Sequence, residues 1–253
     1  MPETDGTTMI DGPITRWTSA PTRHLPVRGE SFAYRDLGGD SGRPPIVLLA
    51  HLGATLDEWD PRVVEALAEG RRVIAVNLPG IGSSTGNVPR TIKGMAGAAR
   101  DFISELGLTR IDLMGFSLGG FVAQQVTLDA PKLVRRLVLA GTGPAGGEGI
   151  DRPTGAAYVY HDMLRGVLAR TDAKEFLFFP RTPDGKAAAR DYLARIHERV
   201  MDRDSPITLK AFRTQIAAIK AWGRQQPQDL SRITAPTLIA NGDHDRMVPT
   251  PLS

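Results

Sequence analysis

Ile111-Asp112-Leu113-Met114-Gly115-Phe116-Ser117-Leu118-Gly119-Gly120-Phe121 is the passage from which the rest of the chain can be ordered. IDLM is a short apolar strand pattern, LGGFVAQQVTL from Leu118 is a helix pattern, and Gly115 to Gly119 between them spells G-x-S-x-G. Glycines on both sides allow a strand-to-helix reversal within one residue. Such a turn lifts the serine hydroxyl above the end of the strand, and the helix N-terminus behind it favours developing negative charge. A serine in an ordinary βα turn is the plainer alternative. The position of the pentapeptide, directly between strand and helix, favours the sharper reading.

Outward from this point, strands and helices alternate. Upstream, Ser31 to Leu37 alternates and is closed by Gly38-Gly39, while Pro45 to Ala50 (PIVLLA) and Arg72 to Val76 (RVIAV) are continuous apolar runs of the kind buried on both faces. Glu58 to Glu69 and Thr91 to Leu106 carry apolar residues at helical spacing and stop at Gly70 and Gly107. Downstream, Leu133 to Leu139 is a further strand. From Gly146 to Asp229 only helical patterns remain: Ala187 to Val200, with Tyr192, Ile196 and Val200 inward and Asp191, Arg195 and Arg199 on another face, and Leu209 to Trp222, with Leu209, Phe212, Ile216 and Ile219 inward. Strand chemistry returns at Pro236 to Ala240. The pattern predicts an α/β protein with a mostly parallel sheet, helices on both faces and a helical lid insertion. Its expected divisions are an N-terminal tail over 1–29, a core over 30–145 and 230–253, and a cap over 146–229.

With these elements in place the chain resembles the α/β-hydrolase fold family. Leu49-Ala50-His51-Leu52-Gly53-Ala54 is similar to the family's His-Gly loop after the third strand, which supplies one backbone donor of an oxyanion hole. Leu52 stands where glycine is usual, so either Leu52 or Gly53 presents that N–H. The second donor would be the N–H of Leu118. Asn77-Leu78-Pro79-Gly80-Ile81-Gly82-Ser83-Ser84 resembles the family's D-x-x-G-x-G-x-S loop, with Asn77 where Asp is common. Asn241 to Pro249 resembles its G-x-x-D-x-x-x-P segment, which puts the triad carboxylate on Asp245, with Asp243 the lesser choice and expected to close the turn. The resemblance thus implies Ser117 as nucleophile and Asp245 as the acid that orients a histidine.

That histidine is the difficulty. The family places it after an eighth strand, for which about 25–30 further residues are needed, and four follow Pro249. His51 is expected to pack under the oxyanion loop, His24 belongs to the tail, and His161 and His197 lie on insertion helices. His244, beside Asp245, is the candidate surrogate base. Without a base a serine is a weak nucleophile. The expectation is a C-terminally short, weakly active hydrolase. A variant borrowing its base from the insertion or another subunit, and a ligand-binding relative with impaired catalysis, are the other two readings. An uncovered sheet edge would invite pairing of two copies.

Composition narrows the chemistry. The 253 residues contain no cysteine, which removes thiolate nucleophiles, disulfides and cysteine metal sites. The 31 Lys and Arg against 28 Asp and Glu form no long basic run, so nucleic acid is not an expected partner. No apolar stretch reaches the ~18 residues of a membrane span, and the N-terminus lacks a secretory pattern, which makes the cytoplasm the expected location. No G-x-G-x-x-G precedes a helix and no P-loop is present, so no cofactor or metal is expected. The Phe176-Leu177-Phe178-Phe179-Pro180 run is too apolar to be left in water. It is expected to form lid core, with one ring available to a pocket for a small-molecule substrate with an apolar portion. Residues 160–224 carry thirteen Lys and Arg against eight Asp and Glu, read as solvated helix faces, with anionic substrates the sharper alternative. The resemblance implies ester or related acyl substrates. Haloperoxidase-type and carbon–carbon bond hydrolases share the same elements, whereas a serine at 117 disfavours aspartate-nucleophile dehalogenases and epoxide hydrolases.

Overall fold

The structure, a computed structural model, describes residues 16–151, 161, 164–166, 168, 171–243, 245, 247 and 248. Seven strands, β1 (Arg23–Val27), β2 (Glu30–Leu37), β3 (Ile46–Leu49), β4 (Val73–Val76), β5 (Ile111–Phe116), β6 (Val134–Ala140) and β7 (Thr237–Ala240), form one sheet in the order β1-β2-β4-β3-β5-β6-β7. β2 runs antiparallel to β1 and β4, and every other pairing is parallel. The apolar runs sit at the centre: all of β3 and β4 is buried. Helices α1 (Pro61–Ala68), α2 (Ile92–Glu105) and α3 (Leu118–Asp129) return the chain between parallel strands. They divide the core in two. One cluster joins α2 and α3 to one face of the sheet, and the other packs Val64 of α1 with Trp17 and Leu48 on the opposite face.

Between β6 and β7 the described residues contain no strand. Helices α4 (Lys174–Phe178), α5 (Pro183–Ile196) and α6 (Leu209–Gly223) lie there. Thr182 and Thr208 cap α5 and α6 by accepting from the N–H of the third residue of each helix, Gly185 and Ala211. α6 docks through Trp222, buried and stacked on Phe121 of α3 at 5.8 Å between centroids. β7 ends the sheet, with Leu238 61% and Ile239 53% exposed. No helix among the described residues is long and apolar enough to cross a membrane.

Two expectations are corrected together. Residues 1–15 lie outside the described residues, but 16–29 are not a loose tail: Trp17 and Ala20 are buried, and β1 pairs along its length with β2. Helix α5 stops at Ile196, so the helical spacing that placed Val200 inward and Arg199 outward no longer applies. Val200 is 82% exposed and Arg199 only 6%. The Arg199 guanidinium donates to Thr18 O at 3.0 Å and Ala20 O at 2.8 Å and pairs with Asp202 at 2.7 Å. A cationic side chain from the insertion therefore satisfies the carbonyls of the segment read as tail. In α6, Leu209 is exposed, and the buried face is Ala211, Gln215, Ala218 and Trp222.

Candidate active site

Ser117 stands between β5 and α3 with φ 52° and ψ −115°. A side-chain-bearing residue pays about 1–3 kcal/mol for such a conformation and holds it only where its surroundings fix it. Here they do. Ser117 N–H donates to Ala140 O at 2.8 Å and Ser117 O accepts from Thr142 Oγ1 at 2.8 Å. The flanking glycines are required by close approach, since a Cβ on Gly115 would meet Gly119 O and one on Gly119 would meet Leu49 O. Ser117 also makes no side-chain cap to its helix. Asp60, Thr91, Thr182 and Thr208 each do so for theirs.

The loop after β3 separates the two candidate donors. Gly53 N–H donates to Gln215 Oε1 at 3.0 Å. Leu52 N–H and Leu118 N–H, the first of α3, make no hydrogen bond with a described residue. The loop is held beyond this point by a capping box, in which Thr55 N–H donates to Glu58 Oε2 at 2.7 Å and Thr55 accepts from the helix it opens. His51 lines the cavity beside this loop, with Nδ1 2.9 Å from Leu52 O and its ring in edge contacts with Phe116 and Phe178. Because a carbonyl can only accept, Nδ1 carries the proton. Nε2 is buried and unpaired, so His51 is not hydrogen-bonded to Ser117. Burial pulls the His51 imidazole below its ordinary value, against the opposing bond to Leu52 O.

Asp245 follows β7. Its Oδ1 accepts from Met247 N–H at 2.8 Å and Val248 N–H at 2.9 Å, and its Oδ2 lies 3.7 Å from where a Cβ on Gly141 would be. Asp245 therefore closes the turn expected of Asp243, while its second oxygen stays at the mouth between β6 and β7. Asp243 is exposed. His244 lies outside the described residues. Asn77 finds its explanation in a residue the sequence did not single out. Asp204, between α5 and α6, accepts from Asn77 Nδ2, from Leu56 N–H at 3.1 Å and from Ser83 N–H at 2.6 Å. An aspartate at 77 would set two carboxylates against each other; an amide donates.

Ser117, Leu52, Gly53, Asp243 and Asp245 line one cavity of about 1180 Å³. Its cap side is built largely of apolar side chains, Phe176, Phe178 and Phe179 with Phe212, Ile216 and Ile219, and also carries Asp172, Lys174, Arg181 and Lys220. Phe176 to Phe179 are thus cavity wall and not lid core, none of α4 being buried. Among the described residues no three His, Asp or Glu side chains converge as metal ligands.

Comparison with known proteins identifies the fold. Residues 44–250 match the model of the alpha/beta hydrolase fold family. Relatives include "Putative carbamate hydrolase RutD" of Rhizobium rhizogenes, 29% identical over 81% of this chain and 76% of that protein. A 2-hydroxy-6-oxononadienedioate/2-hydroxy-6-oxononatrienedioate hydrolase of a Pseudomonas species is 27% identical over 84% and 75%. Among solved structures, an alpha/beta hydrolase fold protein from Chitinophaga pinensis superposes with a TM-score of 0.86 at 30% identity, covering 93% of this chain and 84% of that one. The enol-lactonase of Burkholderia xenovorans LB400, at 0.66 and 23% identity over 91% and 85%, shares the fold. The chain belongs to the alpha/beta hydrolase fold family.

Proposed function

We propose that the protein is a cofactor-independent hydrolase of ester or related acyl substrates with an apolar portion, and that Ser117 is its nucleophile. The observation that carries this reading is the unspent hydroxyl. A serine at an N-cap normally accepts a bond from its helix, whereas Ser117 makes none and sits in a strained backbone at the floor of a largely apolar cavity. In the proposed reaction its Oγ attacks the carbonyl carbon. The negative charge gathering on the carbonyl oxygen is received by the N–H of Leu118 and of the Leu52–Gly53 turn. The serine proton is taken by a base, for which the sequence offers His244 beside Asp245 as the candidate, and is passed to the leaving alcohol; water then attacks the acyl carbon and releases the acid. The relatives named as a carbamate hydrolase and as a 2-hydroxy-6-oxononadienedioate/2-hydroxy-6-oxononatrienedioate hydrolase differ in substrate, so the class stops at acyl carbon.

The rings of Phe176, Phe178 and Phe212 line the cavity, and in the proposed reaction the acyl chain packs against them. Each methylene buried contributes ~0.8 kcal/mol, about fourfold in kcat/KM. With p-nitrophenyl esters, whose leaving group needs little protonation, kcat/KM is expected to climb from acetate through butyrate to hexanoate at about that factor per methylene. Ser117→Ala is expected to return all three to the uncatalysed rate. Turnover that survives Ser117→Ala, or that ignores chain length, would overturn the proposal.

A further inference from the structure

Gln215 sits 162 positions beyond Gly53 in sequence, yet its side chain faces the Gly53 N–H at 3.0 Å. A backbone N–H can only donate, so the facing atom is the amide oxygen. Gln215 is 5% exposed, on the same face of α6 as Ala211, Ala218 and the docked Trp222. It does not line the cavity, whereas Leu52 and Gly53 do. The Gly53 N–H is therefore turned away from the substrate and towards the helix. Gly53 has φ +76°, with Phe212 carbons 3.2 Å from the position of a Cβ. A turn of this kind has many accessible conformations of its own and gains a single one through an outside anchor.

We propose that Gln215 is a positioning residue of the oxyanion loop. Its amide oxygen anchors the Gly53 N–H and so aims the neighbouring Leu52 N–H, beside that of Leu118, at the carbonyl oxygen. The two candidates left open by the sequence then have different tasks, Leu52 as donor to substrate and Gly53 as the anchor point. The inference rests on the serine-hydrolase reading for its catalytic consequence but not for the anchor itself.

Three variants of the full chain test it. Gln215→Met keeps the shape and removes the acceptor, Gln215→Glu keeps an acceptor, and Gln215→Asn withdraws it by one methylene and serves should the Met variant fail to fold. Two readouts apply: hydrogen exchange of the Gly53 amide by NMR, and the rate at which a fluorophosphonate modifies Ser117. The Gly53 amide is expected to be protected in the parent and in Gln215→Glu and to exchange freely in Gln215→Met. Phosphonylation should slow about tenfold in the Met variant and stay within about threefold in the Glu variant. A Gly53 amide unprotected in the parent, or a Met variant as fast as the parent, would overturn the proposal. So would a Met variant faster than the parent, which would make Gln215 an obstruction. If the parent is not modified at Ser117, the serine-hydrolase reading fails, and Gly53 exchange alone then decides whether the anchor exists.

Discussion

At His51 a hydrogen bond to Leu52 O and edge contacts with two phenylalanines fix the imidazole in the loop after β3, and burial, against that hydrogen bond, favours its neutral form. Burial lowers its proton affinity, and the consequence for stability has a definite sign. Above the ordinary value of 6.5 the ring is neutral folded or unfolded and costs nothing. As pH falls below it, the unfolded chain takes up a proton that the folded one refuses, so stability is lost down to the folded value. The loss is up to about 1.4 kcal/mol per pH unit in that window. Urea titrations at pH 8, 6.5 and 5 should show this slope in the parent and a shallower one in His51→Asn; equal slopes would mean that His51 is not the group responsible. Residue identity alone revealed that His51 belonged to this loop. It did not reveal the contact with Phe178, which comes from an insertion helix more than a hundred positions away.

Among the elements, the segment between α5 and α6 holds the site's loops in place. The Asp204 carboxylate gathers donors from the loop after β3 and from the loop after β4, while its own N–H is bound by Asp57 at 2.8 Å. Asn77→Asp would install the residue common in the family and is nevertheless expected to destabilise the protein at pH 7 by about 1–3 kcal/mol, because a buried donor becomes a carboxylate set against that of Asp204. Adding Asp204→Asn should recover much of that loss, as chemical denaturation of the two variants would measure. An Asn77→Asp variant as stable as the parent would contradict the arrangement. The strands and helices themselves were readable because their signals are local: PIVLLA, RVIAV and the spacing within Thr91 to Leu106 each state burial within a few residues. Asp204 and Gln215 gave no such signal, since their partners lie 127 and 162 positions away. The departure at Asn77 was visible, and its cause was not.

For the whole molecule, the sheet presents Ser117 and Asp245 at the mouth and the cap closes over them with apolar rings. The two meet through Trp222 on Phe121 and through Gln215 on Gly53. The order of the motifs along the chain revealed this plan, because strand–helix alternation and the turn at Ser117 are set by chain geometry. It missed the packing of residues 16–29, where Arg199 reaches back from the cap to the carbonyls of Thr18 and Ala20. The central claim is that Ser117 is a nucleophile and not a turn residue. Prolonged incubation with a fluorophosphonate, followed by peptide mass analysis, addresses this whatever the rate of attack. One adduct, on the peptide carrying Ser117 and absent from Ser117→Ala, is the predicted result; no adduct, or one that persists in Ser117→Ala, would contradict it.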